Sequence, residues 1–600
     1  MILYKKNISE YKMQYEFKNG KIILRGKFYE DAIYNVSNQV LSAIFDGRGC
    51  VPYYALGDKN SYYATMKVAL HYDGKPTDFC MSKTVEMIGR KQIITIDFND
   101  GNKLIVKSFL DKSTNAVFMK FTLDGKGDKD VDIAFGHALI NGVQEGNFVF
   151  GRSVAFAANK KIDYVADNYA VYLKFNKDVK EIKCCWTCGD NLRQDINAIH
   201  YFDQSEIECE NEISQLKIPT GLNEKEKAMF YSCYFCSLEN YKEKGDFKGF
   251  MAGHSYLLPM RTYYRDSYFT VLPMYNGNSE LVRNQILTLA KGISENGDCP
   301  SAVKSDYSAF WGNHFDSPSF FAIMLYDYVR ITKNVDILEI DVGGMCVLEK
   351  AVMVINKLSG FCDHTGLLYK SGRYNKRDWA DQVCRYGYVA FDEILFARAL
   401  YSLSKLFEIK NNDKLFKEYA EKYLKVKIAI NEVLWDDKLG YYVNFKNEDY
   451  TETNLSIDTV FAALFDISDS ERSIKMLKNM EQMLEVKNNK NVSVADYGVM
   501  SVYPFYTNVY SGEDRSLQPF HYHNGGNWPY LSAMYALAKR KFGLEYKNAL
   551  ESWFLYNIKK ANYTPIEYFS SVWKDGSLLQ AWSGVSAFVL DKKLSENFYD

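Results

Sequence analysis

Residues 369–388 read YKSGRYNKRDWADQVCRYGY, and an apolar helical run over residues 389–407 follows directly. The stretch is polar and rich in Gly and aromatic residues, and Asp378 and Asp381 flank Trp379. A turn of this content adds little to a core, but it can hold a carboxyl group at the mouth of a pocket. Alternatively, Asp378 or Asp381 only caps the helix that follows. Patterns elsewhere in the sequence are needed to choose between these two interpretations.

Helical patterns recur on both sides of this stretch, from about residue 220 onwards. The predicted helices lie near residues 224–241, 266–275, 279–293, 317–332, 345–357, 388–407, 412–434, 454–465, 468–484, 526–542, 545–558 and 580–590. Twelve helices in pairs predict an (α/α)6 toroid, which is a closed ring of helical hairpins. The lack of a strict sequence repeat argues against an open solenoid. We therefore assign residues 221–600 to one (α/α)6-barrel domain.

The first third of the chain has a different pattern. Short segments rich in β-branched and aromatic residues, such as 92–98 and 103–110, alternate with turns that contain Gly, Asn or Asp. Many strands at this spacing predict β structure to about residue 215 and an antiparallel β-sandwich domain over residues 1–220. No catalytic pattern is found in this domain. The expected fold is thus an N-terminal antiparallel β-sandwich followed by an (α/α)6 toroid.

Composition and charge exclude several classes of function. The formal net charge is −2, which gives no electrostatic basis for binding nucleic acid or an anionic membrane. There is no 18-residue apolar run and no signal peptide, and the 12 scattered Cys are typical of reduced thiols. We therefore expect a cytoplasmic protein with no membrane partner.

Cofactors and partners can also be narrowed from the sequence. No HExxH, Walker, GxSxG or Rossmann motif occurs, which argues against a metal, nucleotide or flavin cofactor. The 47 Tyr, 38 Phe and 8 Trp suit a carbohydrate partner, whose C–H faces stack on aromatic rings, but they could equally reflect genome composition. The oligomeric state stays open, and a homo-oligomer is compatible with the sequence.

Five long connections between the predicted helices are rich in aromatic and polar residues. They span residues 251–266, 298–316, 369–388, 495–526 and 563–580. Loops of this length inside a compact domain are usually functional. If alternate hairpin loops meet at one end of the toroid, these five loops converge on one pocket.

Motifs in these loops resemble two groups of glycosidases. Residues 522–529 read YHNGGNWP, which is similar to the YHNGG-x-WP signature of neutral/alkaline invertases and to the YHNG-x-x-WP of glycogen-debranching amylo-α-1,6-glucosidases. Further segments that resemble these enzymes are Arg265-Asp266, His314-Phe-Asp316, Trp379-Ala-Asp381, and Pro565-Ile-Glu567-Tyr568 with Gln580-Ala-Trp582 after it. The resemblance covers about residues 250–590 and implies membership of the six-hairpin (α/α)6 glycosidase superfamily. A sandwich domain is absent from those invertases, whereas sandwich plus toroid is similar to bacterial debranching-type enzymes and inverting disaccharide phosphorylases.

The resemblance implies a pair of catalytic carboxyl groups. Asp381 matches the general acid and Glu567 the general base of an inverting glycoside hydrolase, in which one carboxyl protonates the leaving oxygen and the other activates water. An Asp beside Trp379 could be desolvated, which raises the pKa as an acid requires. Asp378 competes for the acid role, but we expect it to pair with Arg377 and stay ionised.

Other residues of the matched segments are expected to bind sugar hydroxyls or rings. These substrate-binding candidates are Tyr264, Arg265, Asp266, Trp311, His314, Asp316, Asp378, Trp379, Glu393, His523, Asn524, Trp528, Gln580 and Trp582. Structural roles stay open for several of them: His314 as a satisfied core His, Trp582 as a core residue, and Glu393 as a charge that favours the first turn of its helix through the dipole.

The function that the resemblance implies is an inverting, exo-acting glycoside hydrolase for a small oligosaccharide or glycoside of α-gluco configuration. One alternative is an inverting disaccharide phosphorylase, in which a phosphate site replaces the general base. Another is a non-catalytic carbohydrate-binding protein, for which an acid–base pair would be dispensable. The presence of both Asp381 and Glu567 argues against these alternatives.

Overall fold

The computed structural model describes residues 14–26, 33–56, 60–76, 80–125, 131–136, 139, 141–166, 169–175, 179–507 and 518–599. The first thirteen residues, in which no signal peptide is expected, lie outside the described residues. The chain divides into two compact units. One contains Met1–Ser232 and Ile558–Thr564, and the other contains Cys233–Asn557 and Pro565–Asp600.

Two antiparallel sheets, of ten and eight strands among the described residues, build the first unit. The strand order of the first sheet is β1 (Gln14–Lys18), β2 (Lys21–Gly26), β8 (Cys80–Ile88), β9 (Lys91–Phe98), β10 (Lys103–Phe109), β11 (Val117–Asp124), β18 (Glu181–Cys188), β15 (Val154–Ala158), β14 (Phe148–Phe150) and β13 (Val143–Glu145). The order of the second sheet is β16 (Asp163–Val165), β17 (Ala170–Phe175), β12 (Val131–Gly136), β6 (Asn60–Tyr72), β5 (Val51–Leu56), β4 (Leu41–Asp46) and β3 (Ile33–Ser37), with β7 (Lys75–Pro76) paired to β6.

Aromatic side chains fill the space between these two sheets. Phe135 of β12 lies between Phe121 of β11 and Phe156 of β15, with ring centroids 5.8 and 4.9 Å away. Tyr54 of β5 lies 5.3 Å from Trp186 of β18. Face-to-face packing of two antiparallel sheets confirms the predicted β-sandwich.

Residues 192–215 are helical, so the prediction of β structure to about residue 215 is wrong for this segment. It contains α1 (Leu192–Asp195), a 3-10 turn (Ile196–Tyr201) and α2 (Phe202–Gln215). The buried residues of α2 are Phe202, Ser205, Cys209 and Ile213, and their spacing of three to four residues is that of a helix. Its carboxylates face lysines on the outer face of the first sheet, such as Glu206 with Lys107 at 2.7 Å.

All twelve predicted helical segments are found from residue 224 onwards. The helices are α3 (Glu224–Glu239), α4 (Tyr264–Val271), α5 (Ser279–Lys291), α6 (Asp316–Thr332), α7 (Val347–Ser359), α8 (Ala390–Ile409), α9 (Asp413–Val433), α10 (Phe461–Leu464), α11 (Ser470–Met483), α12 (Pro529–Lys541), α13 (Lys547–Lys559), α14 (Ser586–Leu590) and α15 (Lys592–Ser595). Short 3-10 segments extend three of them: Leu272–Tyr275 after α4, Ile457–Val460 before α10 and Ala581–Val585 before α14.

Six inner helices close into a ring in the second unit. In the order α4, α6, α8, α10, α12 and α14, each helix packs on the next, and the 3-10 segment before α14 packs back on α4. The inner helices are buried nearly all round, and every residue of α4 is buried. Outer helices are amphipathic, as in α9, where Tyr419, Val426 and Ala429 are among the few buried residues. This closed ring confirms the predicted (α/α)6 toroid.

Candidate active site

The inner helices start at one end of the toroid, and the residues predicted from the sequence gather at these starts. Arg265 and Asp266 lie in the first turn of α4, and Asp316 is the first residue of α6. Trp528 directly precedes α12, and Gln580 directly precedes the 3-10 segment before α14. Helix N-termini carry a partial positive charge, so they favour the carboxylates placed there.

The five long loops meet at this end, as expected from the sequence. The contacts that join them are the bonds from Tyr256 and Tyr522 to Glu567, the ion pair of Arg265 with Asp316, and the ring contact of Trp379 with His523. We call this set of loops the site.

Glu567 is almost fully buried and is held by three hydrogen bonds. Its Oε1 accepts from the hydroxyl groups of Tyr256 at 3.3 Å and Tyr522 at 3.1 Å, and its Oε2 accepts from the Ser577 N–H at 3.0 Å. Burial raises the pKa of Glu567 above its ordinary value, while the three hydrogen bonds act in the opposite direction. The donors therefore favour the ionised carboxylate that a general base needs.

Asp381 lies on the loop before α8 and is partly buried. Burial of the carboxyl group raises the pKa of Asp381 to about 7, and nearby Arg265 opposes this shift. The negative charges of Glu567, Asp378 and Asp266 raise the pKa of Asp381 further. Asp381 can therefore carry a proton near neutral pH, as a general acid must.

Arg265 is paired within the site. Its Nη1 donates to Oδ2 of Asp316 at 2.7 Å, and its Nε lies 3.7 Å from Oδ2 of Asp266. Burial raises the pKa of Asp266 to about 7 despite the charge of Arg265. His314 lies close by, and burial lowers the pKa of its imidazole to about 4, so the ring is neutral at pH 7. The Arg265 guanidinium therefore lies among the carboxyl groups of Asp266, Asp316 and Asp381.

Asp378 belongs to a buried ionic cluster beside the site. Its carboxylate accepts from Lys370 Nζ at 2.5 Å, from Arg385 Nη2 at 2.6 Å and from the Ala380 N–H at 2.7 Å. Although burial opposes ionisation, the two cations hold the pKa of Asp378 far below its usual range. The predicted pairing with the adjacent Arg377 is wrong, because the partners are Lys370 and Arg385.

Asp392 and Glu393 are two carboxyl residues in the first turn of α8, and Asp392 bonds Lys370. Asp392 Oδ2 accepts from Lys370 Nζ at 2.9 Å, and burial raises the pKa of Asp392 to about 7. Glu393 Oε2 accepts from the Leu368 N–H at 3.1 Å, and its charged neighbours are Asp392 and Asp363. Glu393 thus lies against the segment before the 369–388 loop, where it bonds the main chain.

Stacked aromatic rings form the floor of the site. His523 stacks on Trp528 with ring centroids 5.0 Å apart and an interplanar angle of 6°, and Trp379 contacts both rings edge-on. Trp582 stacks on Tyr530 at 4.2 Å, and the Arg265 guanidinium lies 5.8 Å from the Trp582 ring. These rings are buried, and together they form an aromatic floor beside Arg265.

Four other residues that were predicted to bind substrate differ in their hydrogen bonds and in their exposure. The Tyr264 hydroxyl donates to the Leu289 carbonyl in the core at 2.8 Å. The Asn524 amide bonds the main chain of Tyr506 through both its oxygen and its nitrogen, at 2.7 and 3.2 Å. By contrast, both amide atoms of Gln580 are buried without a hydrogen-bond partner among the described residues. Trp311 is 50% exposed and has a positive φ of 58°.

Sequence reasoning missed several residues of the site. Tyr256 and Tyr522 bond Glu567, and Asp458 accepts from Trp379 Nε1 at 2.6 Å and from Arg385 Nη1 at 2.7 Å. Tyr522 could have been found, because it is part of the quoted YHNGGNWP motif. No signal in the local sequence marks Tyr256 or Asp458, because their roles depend on partners more than seventy residues away.

No group of three or more His, Cys, Asp or Glu side chains is arranged to hold a metal ion in the described part of the chain. None of the described helices is long and apolar enough to cross a membrane.

The chain is similar to one protein family and to solved structures of two glycosidases. The family described as amylo-alpha-1,6-glucosidase matches residues 236–589. A bacterial glucoamylase complexed with acarbose superposes with a TM-score of 0.63 over 95% of this chain and 97% of that one, at 11% identity, which shows the fold alone. A rhamnosidase from Klebsiella oxytoca with rhamnose bound gives a TM-score of 0.49 over 94% and 96%, at 13% identity.

One relative is similar in sequence over a short stretch. An uncharacterized protein of Borreliella burgdorferi is 32% identical over 80 residues, which are 13% of this chain and 16% of that protein. The chain thus spans about a sixth of the length of this relative.

Proposed function

Because the chain belongs to the amylo-alpha-1,6-glucosidase family, we propose that it is an inverting glycoside hydrolase for a small oligosaccharide or glycoside of α-gluco configuration. The observation that carries the proposal is the pair Asp381 and Glu567. These carboxyl groups come from two separate loops, the charge of Glu567 raises the pKa of Asp381, and Glu567 is held by a set of hydrogen-bond donors.

Asp381 acts as the general acid in this proposal. Its pKa of about 7 leaves it protonated in a large fraction of molecules at neutral pH. It donates this proton to the glycosidic oxygen as the bond from that oxygen to the anomeric carbon breaks, so the leaving group departs as an alcohol. The carboxylate that remains takes up a proton from solvent before the next turnover.

Glu567 acts as the general base. Two tyrosine hydroxyls occupy Oε1, whereas Oε2 accepts one N–H bond and keeps capacity for a further donor. A water that donates to Oε2 loses its proton to Glu567 as its oxygen attacks the anomeric carbon from the face opposite the leaving group. Attack from that face inverts the configuration of the sugar.

The remaining polar groups of the site suit the recognition of sugar hydroxyls. Asp266 Oδ2, His314 Nε2 and both amide atoms of Gln580 are buried without hydrogen-bond partners in the described structure. Buried polar atoms of this kind are costly unless a ligand satisfies them. We assign these three side chains, with Arg265, to hydroxyl binding, and Trp311 to stacking at the rim. Tyr264, Asn524 and Glu393 are assigned to holding the loops.

A phosphorylase requires an anion site in place of the general base. Arg265, the cation that acts on Asp381, is already paired with Asp316 and lies among carboxyl groups. A phosphate dianion there would be repelled by Glu567 and Asp266. We therefore prefer hydrolysis to phosphorolysis.

The test is the configuration of the first product. Proton NMR of the reaction with a panel of α-linked gluco-oligosaccharides should show the β-anomer before mutarotation. The α-anomer as first product would contradict the inverting mechanism, and release of a sugar 1-phosphate only when phosphate is added would favour the phosphorylase. Acarbose, which the bacterial glucoamylase holds, is a suitable binding probe: calorimetry should show binding to the wild type whether or not a substrate has been found.

A further inference from the structure

Glu567 lies on one arm of a β-hairpin. The Glu567 N–H donates to the Ser577 carbonyl at 2.9 Å, the Gly576 N–H donates to the Tyr568 carbonyl at 3.0 Å, and Ile566 pairs with Leu578. Residues 570–575 form the tip of this hairpin. Glu567 is therefore placed by a short element whose tip has its own contacts.

Trp573 joins the tip of the hairpin to a second loop. Its indole Nε1–H donates to the Pro519 carbonyl at 2.9 Å, and its ring lies edge-on to His521 at 5.7 Å. Trp573 is 38% exposed, and its neighbour Val572 is 55% exposed. These two contacts connect the hairpin tip to the segment 518–522.

The segment 518–522 ends on Tyr522 and holds an unfavourable backbone. Phe520 has a φ of 67° and Tyr522 a φ of 45°. Bulky residues rarely adopt this left-handed conformation, and they keep it only where their surroundings fix it. The Tyr522 hydroxyl donates to Glu567 Oε1, so the strained backbone points this hydroxyl at the proposed base.

We infer that Trp573 is a positioning residue for the general base: through Pro519 and His521 it holds residues 518–522 in the conformation that places the Tyr522 hydroxyl on Glu567. The inference rests on the proposed function only where it names Glu567 as the base. The contact network itself is independent of the reaction.

A defined consequence follows from the loss of Trp573. Without the Pro519 bond and the His521 contact, the segment 518–522 relaxes towards ordinary φ values and the Tyr522 hydroxyl leaves Glu567. The carboxylate then has one donor fewer, so its pKa rises. The kcat should fall about 2–10-fold at pH 6, as for one neutral hydrogen bond, with little change in KM, and the acidic limb of the pH–rate profile should move to higher pH.

The experiment compares Trp573→Phe, which keeps the ring but loses the N–H, with Trp573→Ala, which loses both contacts. Val572→Ala is the matched control at the same tip, and Tyr522→Phe removes the hydroxyl directly. Crystal structures of the Trp573 variants report the distance from Tyr522 Oη to Glu567 Oε1. This readout does not require activity, so it distinguishes failure of the inference from failure of the proposed function.

The inference expects a lengthened Oη–Oε1 distance in Trp573→Ala, a smaller change in Trp573→Phe and none in Val572→Ala. It also expects the double variant Trp573→Ala/Tyr522→Phe to have the same pH profile as Tyr522→Phe, because both changes remove one hydrogen bond. An unchanged distance in Trp573→Ala would overturn the inference. So would a raised KM with an unmoved acidic limb, which would make Trp573 a substrate contact. If the wild type turned over no substrate while the distance still lengthened, the proposed function would fail and the positioning role of Trp573 would stand.

Discussion

Asp378 and Asp381 lie three residues apart on one loop, and their surroundings are opposite in charge balance. Asp378 bonds Lys370, Arg385 and a backbone N–H, and these partners hold its pKa far below the usual range. Asp381 lies near Glu567 and Asp266, with Arg265 as the opposing cation, and its pKa is raised to about 7. Both carboxyl groups are desolvated by the protein. The difference therefore shows that the partners, and not burial alone, decide which carboxyl keeps its charge and which can exchange a proton.

The ionic cluster around Asp378 helps to hold the loop that carries Asp381. Arg385 and the Trp379 indole both bond Oδ2 of Asp458, so the ionic cluster around Asp378 fixes the ring that lies two residues before Asp381. Trp379 in turn contacts His523 and Trp528 of the aromatic floor. The ionic cluster around Asp378 can therefore hold Asp381, the carboxyl group of raised pKa, in place.

The largest effect is expected on catalysis. Asp381→Asn and Glu567→Gln should each lower kcat by about 10²–10⁴-fold, the usual contribution of a positioned acid or base, while circular dichroism shows an unchanged fold. Added azide should restore part of the activity of Glu567→Gln, because it replaces water as the nucleophile. Full activity of Glu567→Gln would mean that the base lies elsewhere.

The next effect is on stability and separates the two aspartates. Asp378→Asn leaves Lys370 and Arg385 buried with too little negative charge, and removal of one partner from a buried ion pair costs about 3–5 kcal/mol. Chemical denaturation should show this loss. Glu418→Gln is the control, because Glu418 forms an exposed pair with Lys422, and such pairs contribute about 1 kcal/mol or less. A fully stable but inactive Asp378→Asn would reverse our assignment of the two residues.

Asp381→Asn should change stability in the other direction. A carboxyl with a raised folded-state pKa binds more protons in the folded than in the unfolded state between about pH 4 and pH 7, so its contribution to stability falls as pH rises through this window. Removing the ionisable group should therefore stabilise the protein at pH 8 by a few kcal/mol, since one pKa unit corresponds to about 1.4 kcal/mol, and have little effect at pH 4. Thermal unfolding of wild type and variant at both pH values measures this. A variant that is less stable than wild type at pH 8 would contradict the charge imbalance.

Particular residues show how much of the fold and of the candidate site could be predicted from the sequence. The toroid was predictable because each inner helix is an apolar run preceded by polar or aromatic loop residues. Asp381 and Glu567 could be proposed as the catalytic pair because they lie in short motifs. The partners of Asp378 could not be predicted, because adjacent side chains point in different directions along an extended or turning chain. Arg377 is therefore next in sequence but not in space, whereas Lys370 and Arg385 reach Asp378 through the fold of the loop. The helix α2 was missed although its apolar spacing was present, because strand patterns precede it.

A smaller effect is expected from the donors of Glu567. The wild-type pH–rate profile should be bell-shaped, with the alkaline limb near pH 7 set by Asp381 and the acidic limb set by Glu567 above its ordinary pKa. Tyr256→Phe removes one hydroxyl from Oε1, which should lower kcat about 2–10-fold, as for one neutral hydrogen bond, and move the acidic limb to higher pH. Tyr263→Phe is the control, because the Tyr263 hydroxyl bonds Arg261 rather than Glu567. An acidic limb that moves equally in both variants would remove Tyr256 from the account.

The most direct measurement is the dependence of each aspartate variant on the leaving group. The kcat/KM of wild type, Asp381→Asn, Asp378→Asn and Asp266→Asn is measured on a disaccharide and on the fluoride of the same sugar, whose departure needs little protonation. We predict that the ratio of fluoride to disaccharide activity rises by at least ~10² in Asp381→Asn, the contribution of general acid catalysis, and stays at the wild-type value in Asp378→Asn and Asp266→Asn. An unchanged ratio in Asp381→Asn, or a raised ratio in Asp378→Asn or Asp266→Asn, would contradict the assignment of Asp381 as the acid.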